Sequence, residues 1–178
     1  MSCVQWIEVA IGKHHDRKSF DCGEDALNDY LVRFARQNHE SGGAKTFLAC
    51  DPNNAARIFG FYSLSPASID YARTPQLIGR KLGRYDVPVF RLGRLAVDRT
   101  RQGVGLGGQL LVAAAERCIS ASQLVGGVAL VIDAKSTRAA AWYARFGAIP
   151  LDDAPMTLML PLAMFKNAIL PSETEPKQ

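Results

Sequence analysis

The sequence predicts an α/β fold in which helices flank a mixed central sheet. Two observations predict it. Apolar runs typical of strands alternate along the chain with segments of helical spacing, and a glycine-rich turn lies between a strand and a long helix. With 178 residues, 48% of them apolar and 21% charged, the chain has the size and composition of one soluble globular domain. We expect that domain over residues 1–165 and a flexible tail over residues 166–178.

The first half of the chain is predicted to hold three strands and one helix. Asp25–Asn38 repeats apolar residues at helical spacing, and the glycines after Ser41 end it. Two later apolar runs are joined by DPNNAA, a composition typical of a hairpin turn, so these strands should be antiparallel. The expected strands are Gln5–Ile11, Lys45–Cys50 and Arg57–Leu64, and the stretch from Ser65 to Val87 is expected to be a loop with a short helix.

The second half is predicted as strand, helix, strand, helix and two closing strands. The run VALVIDA is continuously apolar, as in a strand that is buried on both faces. Ser136 or Thr137 is the expected N-cap of the last helix, which Gly147 ends. The expected strands are Pro88–Asp98, Val128–Ala134, Ala148–Leu151 and Met156–Leu162, and the expected helices are Gly105–Ser122 and Ser136–Phe146.

Composition argues against membrane insertion, secretion and metal binding. No apolar run reaches the roughly 20 residues of a transmembrane helix, and the N-terminus lacks the order of a signal peptide, so we expect a cytoplasmic protein. The cysteines form no C-x-x-C pair, and the histidines have no thiols nearby, so we expect reduced, mostly buried thiols and no metal site. The cysteines are Cys3, Cys22, Cys50 and Cys118. The histidines are His14, His15 and His39, and we assign no chemistry to them.

Basic residues are concentrated in one part of the chain. The net charge is +4, and eight basic residues lie between Tyr71 and Arg101, where only Asp86 and Asp98 oppose them. Two interpretations remain open at this point. The segment could be a solvated face, or it could contact the phosphates of a nucleic acid or a cofactor.

The segment Arg101–Gly108 (RQGVGLGG) is a candidate anion site, because a glycine turn before a helix exposes backbone N–H groups at the positive end of the helix dipole. The glycine segment is not a P-loop, since the G-K-[ST] sequence that a P-loop requires does not follow the glycines. A dinucleotide-binding turn matches Gly103-x-Gly105-x-x-Gly108 by letter. That turn follows its strand directly, however, whereas DRTRQ intervenes here, and the rest of the chain supplies too few β-α units.

A third type of loop matches better. Gln102–Gly107 (QGVGLG), preceded by LGRLAVDRTR, resembles the [QR]-x-x-G-x-[GA] pyrophosphate loop of the GNAT acetyltransferases. A late apolar strand, then a helix containing Tyr143, then Phe146-Gly147 are similar to a second element of that family. The resemblance covers Val89–Leu151 and implies the GNAT acyl-CoA N-acyltransferase fold.

The GNAT resemblance implies acetyl-CoA as cosubstrate, bound in a V-shaped cleft where two central strands splay apart. Strand backbone would pair with the pantetheine amides, loop amides would hold the pyrophosphate, and Tyr143 would protonate the departing thiolate as general acid. No strong general base is apparent, and an α-amine acceptor needs less help than lysine because its pKa is lower. The implied cofactor-binding residues are Leu95, Ala96, Val97, Gln102, Gly103, Val104, Gly105, Leu106, Gly107, Gly108 and Phe146.

Within the GNAT proteins, the chain resembles the toxins of bacterial type II toxin–antitoxin modules, which acetylate aminoacyl-tRNA and stop translation. The similar stretches are Phe20–Gly23 (FDCG), Leu27–Leu31, Gly60–Ile69 (GFYSLSPASI), Leu92–Asp98 (LGRLAVD) and Leu158–Leu162 (LMLPL). The resemblance implies an aminoacyl-tRNA substrate, a ribbon-helix-helix antitoxin and a homodimer.

The basic segment then acquires an expected role, which is to contact acceptor-stem phosphates without reading sequence. Two of its arginines alternate with apolar residues in the predicted cofactor strand, so one face of that strand is expected to point towards the cleft. The expected contacts are Arg33, Arg36, Arg80, Lys81, Arg84, Arg91 and Arg94.

Two alternative functions of the chain stay open. One is the acetylation of a protein N-terminus or a small-molecule amine, and the other is a non-catalytic binding module that has kept the cofactor loop.

Overall fold

A computed structural model describes residues 4–169 of the chain, with side chains described for residues 4–166. The strands are β1 (Ile7–Ala10), β2 (Lys45–Asp51), β3 (Asn54–Ile69), β4 (Val87–Val97), β5 (Ala129–Asp133), β6 (Ile149–Pro150) and β7 (Thr157–Pro161). They form a mixed sheet in the order β1-β2-β3-β4-β5-β7-β6. β2 pairs antiparallel with β1 and β3, and β7 pairs antiparallel with β5 and β6.

Helices alternate with these strands. They are α1 (Asp25–Asp29), α2 (Ala35–Ser41), α3 (Gln76–Gly79), α4 (Leu106–Val125), α5 (Thr137–Ala144) and α6 (Ala163–Ile169), with a π-helical segment at Tyr30–Phe34 and 3-10 turns at Tyr71–Arg73 and Arg99–Arg101. The predicted α/β class, with helices flanking a mixed sheet, is confirmed.

β3 differs from its sequence prediction. It continues past the expected end at Leu64 as far as Ile69, so the expected loop is wrong over these residues. The loop was expected because the stretch after Leu64 shows no clear hydrophobic period. This stretch contains Pro66, which has no N–H to donate. The pairing of β2 with β3 ends at Leu64, so Pro66 lies where β3 has no partner on the β2 side in the described chain, and such an edge tolerates a residue without an N–H. The short helix expected after Ser65 is present as α3.

The predicted helix Asp25–Asn38 is present, but it is interrupted by the π-helical segment. Such a segment disturbs the regular pairing of backbone groups. In this one the carbonyl of Val32 accepts a hydrogen bond from Arg17 Nη1 at 2.7 Å. The helical run ends at Gly42, whose φ of +85° is the left-handed conformation common after a helix.

The C-terminal end also differs from expectation. α6 runs to Ile169 and so includes residues that were expected to belong to a flexible tail from residue 166. The remainder of that expected tail, residues 170–178, lies outside the described residues.

The chain divides into two compact units. The first consists of the described residues of Met1–Ser65 with Leu92–Ala114, and the second of Pro66–Arg91 with the described residues of Ala115–Gln178. The first has a core of Ile11, Phe20, Leu27, Tyr30, Leu31, Ala35, Leu48, Cys50, Ile58, Phe61 and Ala96. The second has a core of Ile69, Val87, Val89, Ala129, Val131, Leu151 and Met159. A single domain over residues 1–165 stays a prediction.

The described cysteines are free thiols, as expected from the sequence. Cys22 is half-buried, whereas Cys50 and Cys118 are buried. Burial raises the pKa of Cys50 to about 11 and that of Cys118 to about 12, so both remain protonated at neutral pH. Cys3 lies outside the described residues. No helix in the described part of the chain is long and apolar enough to cross a membrane.

Two histidines have surroundings that resist protonation. His15 is only 5% exposed, its Nδ1 accepts a hydrogen bond from the Gly12 amide at 2.9 Å, and its Nε2 is without a partner in the described chain. Burial, followed by the neighbouring His14, lowers the pKa of His15. Burial likewise lowers the pKa of His39, whose Nδ1 accepts from the Thr46 amide.

We predict that Gly60→Ala destabilises the protein. A Cβ at Gly60 would lie 2.8 Å from Leu110 Cδ1 and 2.9 Å from the backbone oxygen of Ala96. Overpacking of this kind typically costs about 1–3 kcal/mol of unfolding free energy. Denaturant unfolding measures the loss, and Gly43→Ala is the control because the added Cβ would meet only Ser41 Oγ at 3.9 Å. Equal stabilities of the two variants would contradict this packing.

We also predict that stability falls as pH is lowered from 7.5 to 5.5. Folding lowers the pKa of His15 and His39, whereas histidine in the unfolded chain titrates near pH 6.5, so the unfolded chain binds more protons below that pH. The stabilisation is therefore present above pH 6.5 and is lost as the pH falls from there through the lowered pKa of the folded chain. Unfolding of His15→Asn, which keeps an acceptor for Gly12, should show a shallower pH dependence than the wild type. An unchanged pH dependence would rule out His15 as its source.

Candidate active site

Two glycines give the Gly103–Gly108 segment its conformation. The segment joins the Arg99–Arg101 turn to α4. Gly103 has φ +77° and Gly105 has φ +87°, in the left-handed region that residues with a side chain rarely adopt. A Cβ at either position would meet nothing within 4 Å. Glycine is therefore required here by the backbone conformation rather than by crowding, and the loop is open on the side of these two residues.

The amides of this segment are free donors. Within the described residues, the N–H groups from Gly103 to Gly108 donate no hydrogen bond, and the helical pattern begins with Gln109 N bonding to Gly105 O at 3.2 Å. The first N–H groups of a helix lack partners inside it, and they carry the positive end of its dipole. Since α4 is 20 residues long, the segment is suited to bind a phosphate or pyrophosphate group.

Gln102 makes hydrogen bonds to other parts of the chain, whereas the backbone amides of the six residues after it donate none within the described residues. Its side-chain Nε2 donates to the backbone oxygens of Cys22 and Val97, each at 2.9 Å. Its own amide bonds to Arg99 O at 3.5 Å. The contacts of Gln102 therefore fix the start of the loop, and its predicted contact with the cofactor stays a prediction.

The predicted pantetheine-binding residues form the end of β4. Leu95 and Val97 are half-buried, and Ala96 is buried at 5% exposure. The carbonyl of Ala96 faces Gly60 on β3. Directly after β4, the Asp98 amide donates to Phe59 O at 2.8 Å. This part of β4 therefore lies against β3 inside the first unit.

Tyr143 lies in α5, in the second unit. The helix begins as the sequence predicts, because Ser136 Oγ accepts from the Ala139 amide at 3.1 Å and so caps it. The Tyr143 ring meets that of Trp142 edge-on at 4.9 Å between centroids. Burial raises the pKa of Tyr143 to about 12, and its hydroxyl has no hydrogen-bond partner within residues 4–169. Tyr143 therefore keeps its proton at neutral pH and has it free to donate.

Phe146, the remaining predicted cofactor residue, follows α5 and is half-buried. Its ring lies 4.8 Å from that of Trp142, and its amide donates to Tyr143 O at 3.0 Å. Phe146 thus packs against the same short helix that carries Tyr143.

Four of the predicted tRNA-contacting residues already have partners. Arg33 pairs with Asp29 at 3.7 Å and Arg36 pairs with Glu40 at 2.6 Å. Arg91 contacts the carboxylate of Asp133. Arg94 donates to Gly93 O at 2.7 Å and stacks over the Tyr30 ring at 4.6 Å. Arg91 and Arg94 thus have partners of different kinds, and the expectation that one face of this strand points towards the cleft stays a prediction.

The other three predicted contacts are free. Arg80, Lys81 and Arg84 are exposed in the stretch between α3 and β4, and none has an ion-pair partner in the described chain. Tyr85, which follows them, is 83% exposed. Within the second unit, these three side chains are the predicted contacts best placed to meet phosphates.

Sequence reasoning missed a group of polar residues beside the glycine loop. Asp21, Asn28 and Asp98 are joined by hydrogen bonds that link the FDCG stretch to the turn before the loop. In the sequence, the FDCG stretch indicated only a resemblance to the toxins. Nothing in it indicated a contact with the residues before the glycine loop. No three His, Cys, Asp or Glu side chains within residues 4–166 are grouped as a metal site requires.

Comparison with known proteins identifies close relatives. No family model matches the chain. A tRNA-acetylating toxin of Mycobacterium tuberculosis (strain ATCC 25618 / H37Rv) is 39% identical over 145 residues, which are 82% of this chain and 85% of that protein.

Solved structures of acetyltransferase toxins have the same fold. AtaT complexed with acetyl-methionyl-tRNAfMet is 27% identical, with a TM-score of 0.86 over 93% of this chain and 100% of that one. AtaTR bound with AcCoA is 28% identical, with a TM-score of 0.80 over 93% and 98%. A tyrosine-to-phenylalanine mutant of AtaT bound to the C-terminus of the antitoxin AtaR is 26% identical, with a TM-score of 0.80 over 93% and 99%.

The sequence identity and the fold, which extend over most of both chains, agree with the glycine loop and the tyrosine helix. This chain belongs to the family of GNAT-type acetyltransferase toxins of toxin–antitoxin systems.

Proposed function

We propose that the chain transfers the acetyl group of acetyl-CoA to the α-amine of aminoacyl-tRNA and thereby blocks translation. The observation that carries the proposal is the row of unpaired amides from Gly103 to Gly108 at the start of α4. Such a row binds phosphate groups, and acetyl-CoA carries a pyrophosphate. The tRNA-acetylating relative supports the choice of acceptor.

The residues of the loop fit this cosubstrate. The open side at Gly103 and Gly105 lets a pyrophosphate come close to the backbone, where six N–H groups can donate to its oxygens. The end of β4, from Leu95 to Val97, would offer backbone groups to the pantetheine amides, and Phe146 would contact the cofactor. Acetyl-CoA supplies an acetyl group that is activated as a thioester.

Tyr143 is proposed as the general acid. Its Oη holds a proton at neutral pH, because burial raises its pKa to about 12, and no other group in the described chain accepts that proton. As the acceptor nitrogen bonds to the acetyl carbon and the carbon–sulphur bond breaks, Tyr143 would donate this proton to the sulphur. Solvent would then reprotonate the phenolate.

No general base is assigned to the acceptor amine. Free α-amines titrate near 7.7–8.0, and an aminoacyl ester lowers that value because it withdraws electrons. A sizeable fraction of the acceptor is therefore neutral at physiological pH, and its nitrogen can release its proton to water. This favours an α-amine over a lysine, which titrates near 10.4.

The exposed cations between α3 and β4 are proposed to hold the tRNA. Arg80, Lys81 and Arg84 would contact acceptor-stem phosphates, which positions the aminoacyl end without reading sequence. Arg33, Arg36, Arg91 and Arg94 belong to the same proposal, and they would exchange their present partners for phosphate oxygens.

The proposal also includes the protein partners of the chain and the compartment in which it acts. We expect an antitoxin with a ribbon-helix-helix DNA-binding domain and a homodimeric toxin. We place the reaction in the cytoplasm, where aminoacyl-tRNA and acetyl-CoA are both present. We expect no metal ion to take part.

We predict that Tyr143→Phe lowers kcat by about 100- to 10,000-fold, the usual contribution of general acid catalysis. The Kd of acetyl-CoA should stay within about twofold of wild type, because the change removes only the hydroxyl group. Tyr71→Phe is the matched control, since Tyr71 is half-buried in the same unit and its hydroxyl makes no hydrogen bond within residues 4–169. Single-turnover acetylation of aminoacyl-tRNA measures the effect. Undiminished transfer by Tyr143→Phe would remove Tyr143 from the mechanism.

We predict that replacing Arg80, Lys81 and Arg84 together with Gln weakens tRNA binding and flattens its salt dependence. Each lost phosphate contact should reduce the slope of log K against log salt by roughly 0.7–0.9. A triple Gln variant at the exposed residues Lys13, Lys18 and Lys166 removes the same charge elsewhere and is the control. Filter binding at several salt concentrations gives both slopes. If the two triple variants give the same slope, the stretch between α3 and β4 does not hold tRNA.

A further inference from the structure

We propose that Asp21, Asn28 and Gln102 form a brace that positions the phosphate-binding loop and so sets the affinity for acetyl-CoA, an inference that rests on the proposed function. All three residues belong to the first unit. They are positioning residues, because they would act on the cofactor through the backbone of Gly103–Gly108.

The brace joins two parts of the chain that are far apart in sequence. The Arg99 amide donates to Asp21 O at 2.8 Å, and the Asp21 amide donates to Asp98 Oδ2 at 3.1 Å. Gln102 completes the connection by donating from one Nε2 both to Cys22 O and to Val97 O. The FDCG stretch is thus bonded to the residues on either side of the Arg99–Arg101 turn.

Asn28 holds the FDCG stretch in the conformation that makes these contacts. Its Nδ2 donates to Asp21 Oδ1 at 2.9 Å, and its Oδ1 accepts from the Cys22 amide at 3.0 Å. Asp21 Oδ1 also accepts from the Gly23 amide at 2.8 Å. Phe20, buried at 4% exposure, anchors the stretch in the core, where its ring meets that of Phe61 at 5.5 Å.

The loop needs such support because it has little of its own. A Cβ at Gly103 or Gly105 would meet nothing within 4 Å, and the loop amides have no acceptor in the described chain. The conformation of the loop must therefore be fixed at its two ends. Leu106, 1% exposed, fixes the helical end, and the brace fixes the other end at Gln102, which directly precedes Gly103. A loop held in its binding conformation loses less conformational entropy when the ligand binds.

Hydrogen bonds, rather than the exposed ion pair, provide this support, and the Asp21 carboxylate accepts two of them. Arg99 Nε lies 3.4 Å from Asp21 Oδ2, but the two side chains are 64% and 53% exposed. Ion pairs as exposed as this contribute little. The contacts of Asn28 and Gln102 are amide hydrogen bonds, and Asn28 is half-buried. Asn28 and Gln102 are therefore the positions at which to test the brace.

Two variants with matched controls test it. Asn28→Ala removes the three hydrogen bonds of the side-chain amide, to the Cys22 amide, the Cys22 thiol and Asp21 Oδ1, and keeps a good helix former. Gln102→Met keeps the length of the side chain but removes the donor. Asn38→Ala is the control for the first, because Asn38 is also half-buried in the same helical run and its side chain makes no hydrogen bond within residues 4–166. Gln123→Met, at an exposed position of α4, is the control for the second.

Calorimetric titration with CoA gives the Kd, and steady-state transfer separates KM from kcat. We expect the Kd of CoA and the KM of acetyl-CoA to rise by about tenfold in each brace variant, while kcat at saturating acetyl-CoA and the KM of aminoacyl-tRNA change by less than about twofold. Both control variants should bind CoA as the wild type does. Thermal unfolding of all variants shows whether either brace variant has lost its fold, in which case the other decides.

The outcomes separate the brace from the proposed function. A wild-type chain that binds no CoA would overturn the proposed function, and the brace with it. Wild-type binding with an unchanged Kd in Asn28→Ala would overturn the brace alone, even where Gln102→Met binds CoA more weakly, because Gln102 is also a predicted contact of the cofactor. A fall in kcat with no change in Kd would also overturn it, because the loop would then be positioned independently of these residues.

Discussion

The first N–H groups of α4 must be left without partners, and the residues of the first unit next to the glycine loop meet that requirement. A helix start that is covered by its own chain cannot bind an anion. Gly103 and Gly105 keep it uncovered, since their positive φ values turn the chain into the helix without placing a side chain over the amides. The same openness leaves the loop with few contacts, so its position depends on the residues at its two ends.

The proposed roles in cofactor binding and proton donation fall to different parts of the chain. The loop and the end of β4 belong to the first unit, and Tyr143 belongs to the second. The loop offers charge complementarity through fixed backbone dipoles, which do not titrate. Tyr143 offers a proton that burial keeps on the phenol at neutral pH. The proposed mechanism therefore depends on one titratable side chain of the protein.

The sequence predicted the local parts of this arrangement well. The glycine turn, the helix after it and the Ser136 cap each follow from residues that are neighbours in the chain. The contacts of the brace could not be predicted in this way, because Asp21 and Asp98 are 77 positions apart and no spacing rule relates them. The pairing of Arg91 with Asp133, 42 positions away, was missed for the same reason. The end of β3 was missed because the stretch after Leu64 shows no clear hydrophobic period, although the strand continues to Ile69.

The identity of the acceptor is the central claim, and mass spectrometry of aminoacyl adenosines tests it most directly. The wild-type chain would be incubated with acetyl-CoA in a translation extract, and the tRNA would then be cleaved to release its 3′-terminal aminoacyl adenosine. The account predicts that the acetyl group is found on the α-amine of the aminoacyl adenosine. Acetyl groups on protein N-termini, with aminoacyl adenosine left unmodified, would contradict it.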